Sequence, residues 1–181
     1  MNVTEAPLSG VLIITPTVHT DTRGYFFEDF QQIRYKELGM PAFVQHNVSR
    51  SKRHVLRGLH YQLPQAQGKL VGVTRGAVWD VVVDIRAKSN TFGQWFGITL
   101  SDENHTQMYV PPGFAHGFCV VSDEADFYYK CTEYYNPSCE QGLAWNDKTL
   151  NIAWPTAHPI LSPKDEHYPS LTGLSHEQLY T

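Results

Sequence analysis

The stretch that most constrains this chain is residues 78–85, where β-branched and aromatic side chains alternate faces with a period of two. Trp79, Val81, Val83 and Ile85 share one face, while Val78, Asp80, Val82 and Asp84 share the other, so two carboxylates stand on an otherwise apolar surface. Upstream, residues 70–73 and Thr74-Arg75-Gly76 extend this into strand, turn and strand, because Gly76 can take positive φ. Residues 70–85 therefore read as the clearest hairpin. Further strands are expected at residues 11–14, 25–30, 44–47, 95–100, 107–110, 118–121, 127–134 and 143–145, separated by clusters of Asn, Asp, Gly and Pro. Helical signals are confined to residues 31–38, which stop at Gly39 in the manner of a left-handed C-terminal position, and to residues 175–179.

Composition points the same way. Ten Tyr and nine Phe combine with 13 Gly and 11 Pro, the balance of many short strands joined by tight turns. An all-β sandwich or barrel with a few short helices follows. At 181 residues the chain is expected to be a single domain over residues 1–181. Fourteen Lys and Arg against 18 Asp and Glu leave a net charge of -4, so the global basic field that draws nucleic acid is missing. Apolar runs such as Val81-Val82-Val83 are cut by Asp80 and Asp84 and fall far short of the roughly 20 residues that span a bilayer. Residues 1–10 carry Glu5 and Pro7 and do not read as a secretory signal. Cys119, Cys131 and Cys139 are odd in number and lack metal-type pairing, which suits a reducing cytoplasm.

Four places concentrate reactive side chains. In Arg57-Gly58-Leu59-His60-Tyr61-Gln62, followed by Lys69, three basic groups gather at one end of a strand pair, an arrangement suited to an anionic ligand. A lone strand histidine is more often a hydrogen-bonded structural residue, and it is the company of Arg57 and Lys69 that changes the reading of His60. The run Pro111-Pro112-Gly113-Phe114-Ala115-His116 delivers a second histidine to a strand. In the third place, from Phe127 to Pro137, Tyr129 shares a strand face with Phe127 and Cys131 while Tyr128 lies opposite, a pattern that core tyrosines also show. The fourth, Ser162-Pro163-Lys164-Asp165, would by itself be a solvated turn.

Pro-x-Gly-x-x-His at residues 111–116 resembles the second motif of the cupin jelly rolls. The first cupin motif, His-x-His then Glu in metal-dependent members, would fall on His60-Tyr61-Gln62 and Gln67. Neutral amides are poor transition-metal ligands, so no metal is expected and His60 is left for proton transfer. Across nearly the whole chain, Asp21-Thr22-Arg23-Gly24-Tyr25-Phe26-Phe27-Glu28, Gln45-His46-Asn47-Val48-Ser49, Gly68-Lys69-Leu70-Val71, Tyr134-Tyr135-Asn136-Pro137 and residues 160–165 together resemble the dTDP-4-dehydrorhamnose 3,5-epimerase family. The resemblance implies a cupin-type jelly-roll homodimer without cofactors. It would invert C3 and C5 of dTDP-4-dehydro-6-deoxy-D-glucose in the cytoplasm, for dTDP-rhamnose and polysaccharide biosynthesis. It implies His60 as general base, Asp165 as its orienting carboxylate, Tyr129 as general acid and Lys69 beside the reacting sugar. Substrate contacts implied in the same way are Arg23, Phe26, Glu28, Gln45, Asn47, Arg57, Lys69, His116, Tyr135, Glu140 and Lys164. Nucleic acid and membrane are not expected partners.

Elementary chemistry supports this assignment. A C–H beside a ketone becomes acidic when the enolate oxygen is stabilised, and Lys69 or His116 can supply the charge. Inversion needs a base on one face of the sugar and a donor on the other. A carboxylate on the far ring nitrogen of the base fixes its tautomer, a role for which Asp80 and Asp84 compete with Asp165. Three other readings stand beside this one: a 3-epimerase that inverts C3 alone, a metal-dependent cupin, and a non-catalytic sugar-binding jelly roll.

Overall fold

A computed structural model describes residues 1–181. In chain order the elements are β1 (Asn2–Glu5), β2 (Leu12–Thr15), β3 (His19–Asp21), β4 (Gly24–Phe26), α1 (Gln32–Glu37), β5 (Gln45–Lys52), β6 (Leu56–Gln62) and β7 (Lys69–Arg75). They continue with β8 (Ala77–Asp84), β9 (Trp95–Ser101), β10 (Gln107–Val110), β11 (Phe114–Val120), β12 (Glu124–Cys131) and β13 (Glu140–Gly142). Two antiparallel sheets face each other: one in the order β1-β2-β10-β7-β12-β5, the other β13-β6-β11-β8-β9. This is the expected all-β jelly roll. The hairpin β3–β4 is a sheet of its own. No helix is long and apolar enough to cross a membrane.

The period-two pattern of β8 serves two cores at once. Val78 and Val82 point between the sheets, where they meet Val71, Val73 and Phe127 from the facing sheet and Phe118 from their own. Val81, Val83 and Ile85 point the other way, into a second cluster closed by Leu143, Leu150 and Leu171 of the C-terminal segment. Asp147 pins that segment by accepting from the backbone N–H of Leu171 (2.6 Å). A third cluster, Ile14, Tyr35, Met40, Leu70 and Tyr109, fills the space beneath α1. The Gln31 side chain caps α1 by accepting from Arg34 N–H, and Gly39 at φ +86° follows the helix end as expected.

Several elements differ from expectation. β7 and β8 form no hairpin: β7 pairs with β10 and β12, β8 with β11 and β9, and the chain crosses between sheets at Gly76. Gly76 (φ +75°) makes that corner possible, since a Cβ there would come within 2.1 Å of the Glu124 carbonyl oxygen. β-branched runs flanking one glycine read alike for a hairpin and for a sheet crossing. β12 ends at Cys131, short of residue 134, because from Glu133 onward side chains take over as partners of the backbone. β4 stops at Phe26, and the strand expected at residues 143–145 lies earlier, at Glu140–Gly142, before a turn at Trp145. The C-terminal helical signal forms a single 3-10 turn, His176–Gln178.

Candidate active site

One end of the space between the sheets opens as a cavity of about 860 Å³. His60, Arg57 and His116 reach it from the five-stranded sheet; Lys69, Tyr129, Gln45 and Asn47 reach it from the six-stranded sheet. The loops that close its rim bring Tyr135, Lys164 and Asp165, and the start of β13 brings Glu140. The fold thus gathers residues from chain positions 45 to 165 around one space.

His60 and His116 are cross-strand partners on β6 and β11. Their strands come unusually close beside them: a Cβ on Gly58 would stand 2.5 Å from Gly117 Cα, and the ladder shifts register between His116 and Phe118. His60 Nε2 donates to Asp165 Oδ1 at 2.6 Å, which leaves Nδ1 with the lone pair in the neutral ring. Burial works to raise the Asp165 carboxyl, but hydrogen bonds from His60 and Ser162 outweigh it and hold Asp165 below the usual carboxylate range. His116 Nε2 lies 2.9 and 3.0 Å from the two Asp80 oxygens. Asp80 is fully buried, and burial pushes its carboxyl up against the opposing pull of His116 and Lys69. Asp84 is occupied by Arg86 (2.7 Å), Ser89 and Thr91 (both 2.6 Å). Of the three carboxylates weighed as the partner of His60, only Asp165 touches it.

Lys69 is the cross-strand partner of Cys131 and forms no side-chain hydrogen bond or ion pair; burial pulls its ammonium below the ordinary lysine range. Across from His60, burial and then the Cys131 thiol raise the Tyr129 phenol, with Arg57 opposing, so Tyr129 keeps its proton at neutral pH. Arg57 Nε donates to Ser51 Oγ (3.0 Å), fixing the guanidinium plane. Glu140 bridges two rim groups, accepting from Tyr135 Oη (3.0 Å) and Lys164 Nζ (2.7 Å). Gln62 and Gln67, which fall where metal cupins carry ligands, are occupied by backbone. Gln62 Nε2 donates to the Gln65 (2.7 Å) and Tyr134 (3.1 Å) carbonyls, and Gln67 Nε2 donates to that of Glu133 (2.9 Å).

Three expected site residues lie elsewhere. Arg23 is ion-paired with Asp21 (2.6 Å), Phe26 is 71% exposed, and Glu28 pairs with Arg34 (2.5 Å). All three belong to the β3–β4 hairpin and the segment after it, which hydrogen-bonds through its strands to neither main sheet. Arg23 and Phe26 line a separate shallow groove there. Nothing in the local residue pattern marks the direction in which that hairpin leaves the body. Sequence reasoning also passed over Ser49 and Cys131 as cavity residues and Asp80 as the partner of His116. For Asp80 a signal existed, a carboxylate on the apolar face of β8 that required a buried partner.

The model of the family described as dTDP-4-dehydrorhamnose 3,5-epimerase matches residues 5–173. The chain belongs to that family. It is 53% identical over 168 residues to the dTDP-4-dehydrorhamnose 3,5-epimerase of Shigella flexneri, covering 91% of this chain and 93% of the relative. It superposes with TM-score 0.95 and 50% identity on the dTDP-6-deoxy-D-glucose-3,5-epimerase of Legionella pneumophila in complex with dTDP-4-keto-L-rhamnose, over 98% of this chain and 96% of that one. A dTDP-4-dehydrorhamnose 3-epimerase from Streptomyces niveus is 43% identical over 162 residues, 88% of this chain and 78% of its own. Membership in the 3,5-epimerase family makes this chain an isomerase of nucleotide sugars.

Proposed function

We propose that this epimerase inverts C3 and C5 of dTDP-4-dehydro-6-deoxy-D-glucose to give dTDP-4-dehydro-L-rhamnose. The observation that carries the mechanism is that His60 and Tyr129 line one cavity from opposite sheets. A base and a donor on opposite walls meet opposite faces of a sugar between them, which is the requirement for inversion. His60 takes the proton through Nδ1, and Asp165 stabilises the imidazolium that results. Lys69, with His116, holds the enolate charge that develops on the C4 oxygen. Tyr129 returns a proton from the other wall. Both C3 and C5 flank the same carbonyl, so one enolate-stabilising site serves both carbons as the sugar presents each in turn.

Arg57, Gln45 and Asn47 meet the diphosphate and nucleoside, and Tyr135 stacks on the thymine, with Glu140 and Lys164 holding the rim. No metal enters the reaction, a reading supported by the amides of Gln62 and Gln67 being tied to backbone. The single domain of residues 1–181 works as a homodimer. In it, Arg23, Phe26 and Glu28 complete the nucleotide site of a second copy; the exposure of Phe26 and the free-standing hairpin support this. Three free cysteines, all buried, fit a cytoplasmic enzyme of polysaccharide biosynthesis. Turnover in deuterated water tests the reading: NMR should find deuterium at C3 and C5, one position labelled before the other. Label at C3 alone, with C5 retained, would reassign the chain to the 3-epimerases.

A further inference from the structure

β12 ends at Cys131, and the backbone of Glu133, Tyr134 and Tyr135 then makes no hydrogen bond to any other backbone group. Its partners are side chains: three glutamines and, for the Tyr134 N–H, the Glu133 carboxylate (2.7 Å). Tyr135 N–H donates to Gln45 Oε1 (2.8 Å) and Asn136 N–H to Gln62 Oε1 (2.9 Å), while the Tyr134 carbonyl accepts from Gln62 Nε2 and the Glu133 carbonyl from Gln67 Nε2. Gln62 is 4% exposed and uses both ends of its amide, yet the Tyr135 ring that this loop carries is half exposed at the cavity rim. An amide is the neutral side chain that accepts through one atom and donates twice through another, which the mixed N–H and C=O partners here require. A carboxylate or an imidazole at position 62 cannot meet them all.

We propose that Gln62, assisted by Gln45 and Gln67, is a positioning residue for nucleotide recognition: these amides hold the backbone of a loop that pairs with no other backbone, while Glu140 holds the Tyr135 hydroxyl, so that Tyr135 is preset as the platform for the base. The inference rests on the reading of Tyr135 given above. It turns the position at which a metal cupin places its second histidine into a loop clamp, and it assigns the glutamine to affinity rather than to proton transfer. Pre-setting a stacking ring lowers the ordering cost of binding, so loss of the clamp weakens binding without altering the chemical step.

The test is a double-mutant cycle of Gln62→Glu and Tyr135→Ala, read by calorimetric affinity for dTDP, by KM and kcat, and by thermal unfolding. Glu at position 62 keeps the shape and the acceptor but, ionised, cannot donate to the Tyr134 carbonyl. Each single variant should bind dTDP about tenfold more weakly, the scale of a lost base–aromatic stack, and for Gln62→Glu the loss should appear in KM far more than in kcat. With Tyr135→Ala in place, Gln62→Glu should add less than about twofold, because the two act through one platform. Gln67→Leu removes a single bond at the loop's start and should cost about threefold, which keeps the inference testable should Gln62→Glu not fold. Unchanged dTDP affinity in Gln62→Glu and Gln67→Leu, beside a weakened Tyr135→Ala, overturns the clamp and leaves the stacking site standing. Full additivity of the two losses also overturns it. Unchanged affinity in Tyr135→Ala overturns the stacking site and the clamp together.

Discussion

His60 and His116 stand opposite each other on neighbouring strands, each with a carboxylate on Nε2, and there the likeness of the two pairs ends. His60 is part exposed to the cavity, and its partner comes from a turn 105 residues later in the chain. His116 is buried, and its partner sits on the adjacent strand with no exposure at all. Asp165 is held below the usual carboxylate range, whereas Asp80 is pushed above it. A histidine that exchanges protons needs an ionised partner and a path to substrate; one that offers fixed polarity needs rigid burial. Under the proposed mechanism the moving proton belongs to the first pair and the standing field to the second.

Five substitutions break or sharpen this division. Replacing His60 by Ala should lower kcat by about 10²–10⁴, the usual worth of a general base, and should abolish exchange of the sugar C–H with deuterated water. Replacing His116 by Ala should leave slow exchange detectable, and an exchange rate as low as that of His60→Ala would erase the distinction. Tyr129→Phe should cut inversion by about 10² while His60 continues to exchange its proton from one face; intact inversion would send the search for the acid elsewhere.

Asp165→Asn should lower kcat about tenfold or more, since the imidazolium loses its counter-charge. Asp80→Asn should lower kcat less. A loss of the same size in both variants would erase the difference between the two pairs.

The smallest effect is on stability. The depressed Asp165 carboxyl contributes stability that is present above the ordinary carboxylate pKa of about 3.9 and is lost as pH falls through its own lower value. Asp165→Asn should therefore lower Tm by a few °C near neutral pH, on the order of a 1 kcal/mol loss, with the gap closing in acid. Asp80 has the opposite sign: its raised carboxyl favours folding when protonated and opposes it as pH rises. The Tm of Asp80→Asn should gain on the parent between acid and neutral pH, and parallel trends in the two variants would refute the assigned directions.

The strand faces were readable because period two is a local property: β8 divides its side chains between two cores in the way that Val78 to Ile85 alternate. Which strands pair was not. Gly76 serves a sheet crossing as readily as a turn, and the choice depends on partners far away, β10 and β12 for one strand and β9 and β11 for the other. The eleven expected site residues that share the cavity were named through the family resemblance rather than through spacing. Partnership among acids was beyond spacing: Asp165 reaches His60 across the fold, while Asp80 and Asp84, nearer in sequence, are held by His116 and Arg86. Arg23, Phe26 and Glu28 lie outside this chain's own cavity, on and just after a hairpin that pairs with neither main sheet, and no local pattern in residues 19–28 shows where that hairpin points.

The close approach of Gly58 to Gly117 sets the spacing of the two histidines from below. Neither imidazole determines how far it stands from the other; the interval is a backbone dimension, fixed where two strands nearly touch. A methyl group on either glycine would act as a shim, prying β6 from β11 and displacing both histidines at once while leaving every side chain of the cavity chemically intact. The calibration of this site thus resides in two residues that have no side chain to offer a substrate.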